Sequence, residues 1–181
     1  MIDEARSDVA EESGVAARSV YVRFGTKAEL LRRVLDVAIV GDTDAVDLAH
    51  RDWQRLARTA ATIELRLDAY CDGVCGLMRR VAPLMAVFSQ AQASEPVIAA
   101  AAQANREATL ANITVMWRAL SSDGLLHPDC DVDWAIATTS QLSGSESYIY
   151  MSRTLDWDIA TYRRWLYDTW LHFATTPGPS H

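Results

Sequence analysis

The sequence contains little of what a disulfide scaffold, a zinc site or a redox centre requires. It has only three cysteines among 181 residues, so no disulfide framework is predicted. Cys71 and Cys75 lie four positions apart, which allows them to share one face of a helix. Two thiolates without a nearby histidine are half of a zinc site. We interpret both as buried small hydrophobic residues, with metal binding or oxidation sensing as the alternative.

Catalytic, cofactor-binding and membrane-spanning patterns are also missing. The four histidines lack metal-binding or triad-like spacing and are scattered over positions 50, 127, 172 and 181. Valine and isoleucine do not gather into alternating runs, so neither strands nor a strand-linked phosphate loop are predicted. No apolar stretch is long enough to span a bilayer, and the sequence has no signal peptide. We expect a cytoplasmic protein that is not an enzyme, has no cofactor or metal, and does not contact a membrane.

The residues that are abundant favour helix. Half of the chain is hydrophobic, and much of this is alanine, which favours helix while burying little area. We therefore predict an all-α fold.

The formal net charge of −7 argues against nonspecific binding to nucleic acid. However, residues 13–33 contain one acid, Glu29, against the bases Arg18, Arg23, Lys27, Arg32 and Arg33. A basic segment on an acidic body is what a DNA-binding module joined to a sensor would show.

Residues 10–31 have the pattern of a helix-turn-helix followed by the start of a third helix. Gly14 lies where one short helix must turn sharply into another, which favours a residue without Cβ. Val15, Val20 and Phe24 recur at roughly helical spacing and predict an inward face. The opposite face suits a DNA major groove, because small residues allow close approach and Arg or Ser can reach bases or phosphates. The residues on this outward face are Ala17, Arg18, Ser19, Tyr21 and Arg23.

From Val9 to Leu30 the chain reads Val-Ala-x-x-Ser-Gly-Val-x-x-Arg-Ser-Val-Tyr-x-x-Phe-Gly-Thr-Lys-x-x-Leu. This pattern resembles the TetR family of bacterial one-component transcriptional regulators. The resemblance implies that residues 16–22 are the recognition helix, that Tyr21 and Lys27 contact DNA phosphates, and that Phe24 anchors the next turn. Lys27 has an independent argument, because it is the only lysine and lies at a predicted helix start, where backbone N–H groups also favour phosphate.

The chain departs from the resembled family at its beginning. Family members start with an additional amphipathic helix that closes the small core of the DNA-binding head. Here only residues 1–8 precede Val9, and they include Asp3, Glu4 and Asp8 without a long apolar stripe. The first helix is therefore expected to be missing. Three alternatives explain this: the true start lies upstream, the head has lost a part, or Ile2, Ala5 and Val9 extend the first remaining helix.

The pattern divides the chain into a DNA-binding head, residues 1–40, and a body for ligand binding and dimerisation, residues 41–176. Thr26 can cap a helix that ends near Gly41, and residues 41–50 are expected to form a connector. We predict that Pro83 begins a new helix and that residues 177–181 form a frayed tail. The body helices are predicted at about 62–80, 83–93, 94–120, 132–142, 144–153 and 158–175.

The last predicted helix has a wide aromatic stripe. Its members recur at three- and four-residue steps and are Tyr162, Trp165, Leu166, Thr169, Trp170 and Phe173. In the resembled family the final helices of two chains form a four-helix dimer bundle. We expect a homodimer through the C-terminal helices. The alternative is that the stripe covers the core of its own chain.

The body is expected to hold an apolar pocket between facing helices. The candidate lining residues, each of which could equally be core, are Tyr70, Met78, Met85, Phe88, Ile113, Met116 and Trp117. The sequence thus predicts a dimeric repressor that leaves a near-palindromic operator when a small apolar effector binds. Its recognition helices must lie roughly 34–36 Å apart. The alternatives are a ligand-binding or dimerisation protein that has lost DNA binding, and a small helical enzyme.

Overall fold

The structure is a computed structural model that describes residues 25–40 and 51–179. Within these residues the chain forms helices and no strand, which confirms the predicted all-α class. The helices, numbered in chain order, are α1 Lys27–Val40, α2 Asp52–Thr59, α3 Ile63–Gln92, α4 Pro96–Ser122, α5 Val132–Leu142, α6 Ser145–Thr154 and α7 Ile159–Thr175. The connector predicted at 41–50 lies outside the described residues.

Polar side chains at the helix starts explain where several of these helices begin. Thr62, Asp131 and Asp158 each precede a helix and accept a hydrogen bond from a backbone N–H three residues further on. Pro96 occupies the first turn of α4, where its missing N–H costs nothing. The predicted positions of α4, α5, α6 and α7 are confirmed to within two residues. Capping side chains therefore mark the starts of α3, α5 and α7, and Pro96 marks the start of α4.

The prediction that Pro83 starts a new helix is wrong, because α3 continues through it. Proline removes one backbone hydrogen bond and crowds the preceding turn. Here the residues on both sides are fixed by packing, since Val81 and Phe88 are buried in the same cluster. Pro83 itself is exposed. Tertiary burial along the helix therefore outweighs the local cost of the proline.

Two hydrophobic clusters organise the body. The larger cluster joins α2, α3, α4, α5 and α7, and its fully buried members include Leu67, Ile113, Trp117 and Trp170. The smaller cluster joins α1 to the end of α3 and the start of α4 through Ala28, Leu35, Val81, Phe88 and Ile98. Leu77 packs against both clusters. Helix α1 is thus packed onto the body through a small core of its own.

Helix α7 is tied to α3 by an ion-pair fork as well as by the larger cluster. Arg163 donates from Nε to Asp72 at 2.5 Å and from an Nη to Asp68 at 2.9 Å. The two acids lie one turn apart on α3, so a single guanidinium spans both. The hydrogen bonds that Arg163 donates to Asp72 and then to Asp68 are the largest causes that raise its pKa. This fork fixes the register of α7 against α3.

The innermost positions of the aromatic stripe on α7 belong to the core of their own chain. Tyr162, Leu166 and Trp170 are fully buried, and the Tyr162 hydroxyl donates to the Leu142 carbonyl at 2.9 Å. Trp165 and Phe173 are partly buried against the same cluster. At these positions the structure supports the alternative interpretation, in which the stripe covers the core of its own chain.

The prediction of a frayed tail is wrong for residues 177–179. The Gly178 N–H donates to the Asp129 carbonyl at 2.8 Å, and the His127 N–H donates to the Ala174 carbonyl at 2.7 Å. A Cβ at Gly178 would lie closer than 3.0 Å to Asp131 atoms. The lack of a side chain therefore allows the tail to lie directly against the α4–α5 loop. Ser180 and His181 lie outside the described residues.

Candidate DNA-binding head and effector site

The start of α1 is a capping box preceded by a glycine turn. The Thr26 N–H donates to Glu29 Oε2 at 2.9 Å, and the Glu29 N–H donates to Thr26 Oγ1 at 3.1 Å. Gly25 has φ +64, and a Cβ there would lie closer than 3.0 Å to Glu29 Oε2. The Gly-Thr part of the sequence motif therefore builds a sharp, rigid entry into α1. The predicted capping role of Thr26 is confirmed.

Lys27 is the one predicted DNA-binding residue that the structure describes. It is exposed on the first turn of α1, where the positive end of the helix dipole adds to its charge. The other five predicted DNA-binding residues lie outside the described residues: Ala17, Arg18, Ser19, Tyr21 and Arg23. The structure therefore gives the position of Lys27 and leaves the recognition helix as a prediction.

The far end of α1 is held by an arginine from α3. Arg80 donates from Nε to the Ala38 carbonyl at 2.9 Å and from an Nη to the Ile39 carbonyl at 3.3 Å. Its other Nη donates to Gly76 on its own helix at 3.0 Å. A cation at the C-terminal carbonyls of a helix is favourable because those carbonyls lack partners within the helix. Sequence reasoning missed this link, since nothing in the sequence relates Arg80 to residues 38 and 39.

The predicted effector residues fall into two groups. Five of them lie in the larger cluster, namely Tyr70, Met78, Ile113, Met116 and Trp117. Phe88 belongs to the smaller cluster beside α1, and Met85 packs against that cluster. The structure thus brings five together and separates two. All seven side chains are in contact with neighbouring hydrophobic residues, and all but Met85 are buried.

The larger cluster contains a polar strip that sequence reasoning missed. Trp117 Nε1 donates to Thr139 Oγ1 at 2.9 Å, and Thr139 in turn donates to the Ala135 carbonyl at 2.6 Å. Directly after α5, the Ser143 hydroxyl donates to the Thr139 carbonyl at 2.7 Å, and Ser143 also lies beside Tyr70, whose pKa is raised chiefly by its burial. Thr139 and Ser143 are both buried. Hydroxyl groups on the inward face of α5 were the available signal for this strip.

The paired thiols lie in the same region and are held in their protonated form. Cys71 and Cys75 are free and buried, which confirms their interpretation as buried residues. Burial raises the pKa of both, that of Cys75 to about 11, although Arg163 acts in the opposite direction. A thiol must ionise to attack an oxidant or bind a metal. Within the described ranges, no group of three or more histidine, cysteine or acidic side chains is arranged to hold a metal ion.

A surface cavity of about 240 Å³ lies at the C-terminal end of α7. None of the seven predicted effector residues lines it. Its walls come from the start of α5 and from the end of α7 with the tail. The lining residues are Asp131, Trp134, Ala135, His172, Phe173, Thr176, Pro177, Gly178 and Pro179.

Residues 25–40 and 51–179 include no helix with the length and apolar character needed to cross a bilayer.

An all-α body that follows a helix-turn-helix sequence defines a class, the helical DNA-binding regulators. Residues 6–34 match the family model described as bacterial regulatory proteins, tetR family. This confirms the TetR resemblance and supports a transcriptional regulator of the TetR type. Comparisons with curated proteins and with solved structures gave no significant match.

Proposed function

We propose that the protein is a homodimeric TetR-type repressor that leaves its operator when a small apolar effector enters the body. The observation that carries this proposal is the position of α1. Its first half, up to residue 34, lies in the tetR family match. Its buried residues Ala28 and Leu35 pack against Val81, Phe88 and Ile98 of the body. One helix is therefore shared by the segment that reads DNA and the segment that would bind the effector.

The proposed DNA contacts divide by chemistry. Tyr21 and Lys27 are assigned to phosphates, which give affinity without sequence information. Arg18 and Ser19 are assigned to base edges, Ala17 allows close approach, and Arg23 belongs to the same predicted outward face. The support for Lys27 is its exposure on the first turn of α1. The near-palindromic operator follows from the two-fold symmetry of a dimer.

The experiment for these assignments compares variants on operator and random DNA. Tyr21→Ala should weaken binding to both DNAs by the same factor, because a phosphate contact is independent of sequence. Arg18→Ala should lose more affinity for the operator than for random DNA, by about 5- to 100-fold for one base contact. Fluorescence anisotropy at fixed salt measures both. Equal losses on the two DNAs for Arg18→Ala and Ser19→Ala would overturn the base-reading role.

The proposed dimer interface uses the outward faces of α6 and α7. Helix α6 has the apolar residues Tyr148, Ile149, Tyr150 and Met151 but buries none of its residues fully within one chain. Tyr150 is 55% exposed, and Leu155 just after the helix is 44% exposed. Apolar side chains left uncovered by a chain's own core are typical of an interaction surface. Light scattering should report a monomer for Tyr150→Glu and a dimer for the control Leu110→Glu, which changes an exposed side chain of α4.

The proposed effector site is the larger cluster, where five of the predicted residues meet. An effector lowers DNA affinity only by its preference for the body conformation that binds DNA poorly. Helices α3 and α4 line this cluster and also pack on α1. A change in their separation would therefore tilt α1 and alter the spacing between the two recognition helices. The Arg80 link to the end of α1 supports the same route.

A further inference from the structure

Four aromatic rings form a column that runs from α2 into the centre of the body. Trp53 meets Tyr70 edge to face, with ring centroids 5.6 Å apart. Tyr70 meets Trp170 at 4.6 Å, and Trp170 meets Trp117 at 6.5 Å. Trp117 and Trp170 are fully buried, Tyr70 is nearly so, and Trp53 is partly exposed. The column therefore has an outer end at Trp53 and an inner end at Trp117.

The outer end of the column rests on a glycine. A Cβ at Gly73 would lie closer than 3.0 Å to three ring atoms of Trp53. Any other residue at this position would push the indole away from α3. Trp53 is carried by α2, a helix of only eight residues that is anchored by the buried Gln54 and Ala57. The short helix α2 thus places the Trp53 indole against α3 in a space that is available because Gly73 has no side chain.

The inside of the column contains a hydrogen-bond donor with no partner. Trp170 Nε1 is buried and makes no hydrogen bond within the described part of the chain. Nearby indole and phenol groups are satisfied, since Trp117 donates to Thr139 and Tyr162 donates to Leu142. Buried polar groups are nearly always paired, because a lost partner costs a folded protein stability. An indole N–H only donates, so the missing partner is an acceptor.

We propose that this aromatic column is the effector site and that its ligand is a flat aromatic molecule carrying a hydrogen-bond acceptor. The ligand displaces the Trp53 indole from Gly73, packs against the Tyr70 ring that Trp53 covers, and extends past the edge of that ring to accept a hydrogen bond from Trp170 Nε1. A two-ring molecule matches the space that one indole vacates. Aromatic walls favour offset or edge-to-face contacts with such a ring system. The regulatory consequence rests on the proposed function, whereas the ligand chemistry does not.

The test uses two neutral probes of the same shape, quinoline with an acceptor nitrogen and naphthalene without one. The full chain is titrated with each at neutral pH without DNA, and binding is followed by calorimetry or thermal shift. We expect quinoline to bind about 3- to 10-fold more tightly, the contribution of one hydrogen bond. Trp170→Phe should abolish this preference, so that quinoline and naphthalene bind this variant with affinities within about two-fold of each other. Trp53→Ala should strengthen the binding of both probes.

Trp134→Phe is the matched control, because Trp134 is exposed beside the surface cavity at the end of α7. This variant should preserve the preference for quinoline over naphthalene. Equal affinities for the two probes in the unmodified chain would overturn the proposal. So would a preference that survives in Trp170→Phe, or no binding of quinoline to Trp53→Ala at millimolar concentration. If Trp170→Phe does not fold by circular dichroism, the comparison of probes in Trp53→Ala decides. Failure of the chain to bind DNA would overturn the proposed function and leave these ligand results standing.

Discussion

Replacing Arg80 should loosen the C-terminal end of α1 while leaving the rest of the body unchanged. The guanidinium is bound to the Ala38 and Ile39 carbonyls, and Arg80→Met keeps most of the aliphatic stem while removing these bonds. A cation at a helix C-terminus contributes about 0.3–1 kcal/mol, and one net hydrogen bond about 0.5–1.5 kcal/mol. Because Arg80 is exposed, we take the lower part of this range, about 1 kcal/mol in total.

Hydrogen exchange of the α1 amides is the assay, because it reports local opening. A local loss of about 1 kcal/mol corresponds to exchange about five-fold faster in the last turns of α1. The melting temperature should fall by about 2–4 °C at most for a chain of this size. The control is Arg79→Met, since Arg79 is also exposed and has no hydrogen bond to α1 in the described structure. Identical exchange in the two variants would refute the argument that Arg80 holds α1.

Two further predictions concern the centre of the body. Gly73→Ala should lower the melting temperature by displacing Trp53. Gly76→Ala should raise it, because a Cβ there would meet only Arg80 at 3.7 Å and alanine is favoured over glycine in helices by about 1 kcal/mol. A rise in both variants would contradict the close packing of Trp53. Burial raises the pKa of the Cys75 thiol from 9.0 to about 11, so the folded chain keeps a proton that the unfolded chain loses. Its contribution to stability is complete below pH 9 and is lost as the pH rises towards 11. Urea unfolding across this range should therefore show a smaller alkaline loss in Cys75→Ala than in the unmodified chain, and equal losses would contradict the shift.

Local signals in the sequence located the starts of those helices that are capped by side chains close in sequence. Thr26 with Glu29 starts α1, and Asp131 and Asp158 start α5 and α7. These pairs lie three residues apart, so their geometry follows from helix periodicity alone. The same signals failed at Pro83, because the burial of Val81 and Phe88 by distant helices keeps α3 continuous.

Features that depend on contacts distant in sequence were not predicted. Helix α2 lies in a segment without a clear apolar period, and its position is set by Gln54, Ala57 and the fit of Trp53 onto Gly73. The tail is held by backbone bonds to the α4–α5 loop, which involve no side-chain pattern. In the candidate effector site, apolar composition identified Tyr70, Met116 and Trp117, but it gave no sign that the Trp170 donor is unpaired.

We propose that this chain recognises a specific DNA sequence, and fluorescence anisotropy of the 181-residue chain with DNA from its own upstream region measures that recognition. Random DNA of equal length is the control, and both are titrated at low and moderate salt. We predict binding that weakens with salt and stays about 10³-fold or more tighter on the upstream DNA. Equal affinity for both DNAs, measured on a folded dimer, would contradict the claim and favour a ligand-binding or dimerisation protein that does not read DNA.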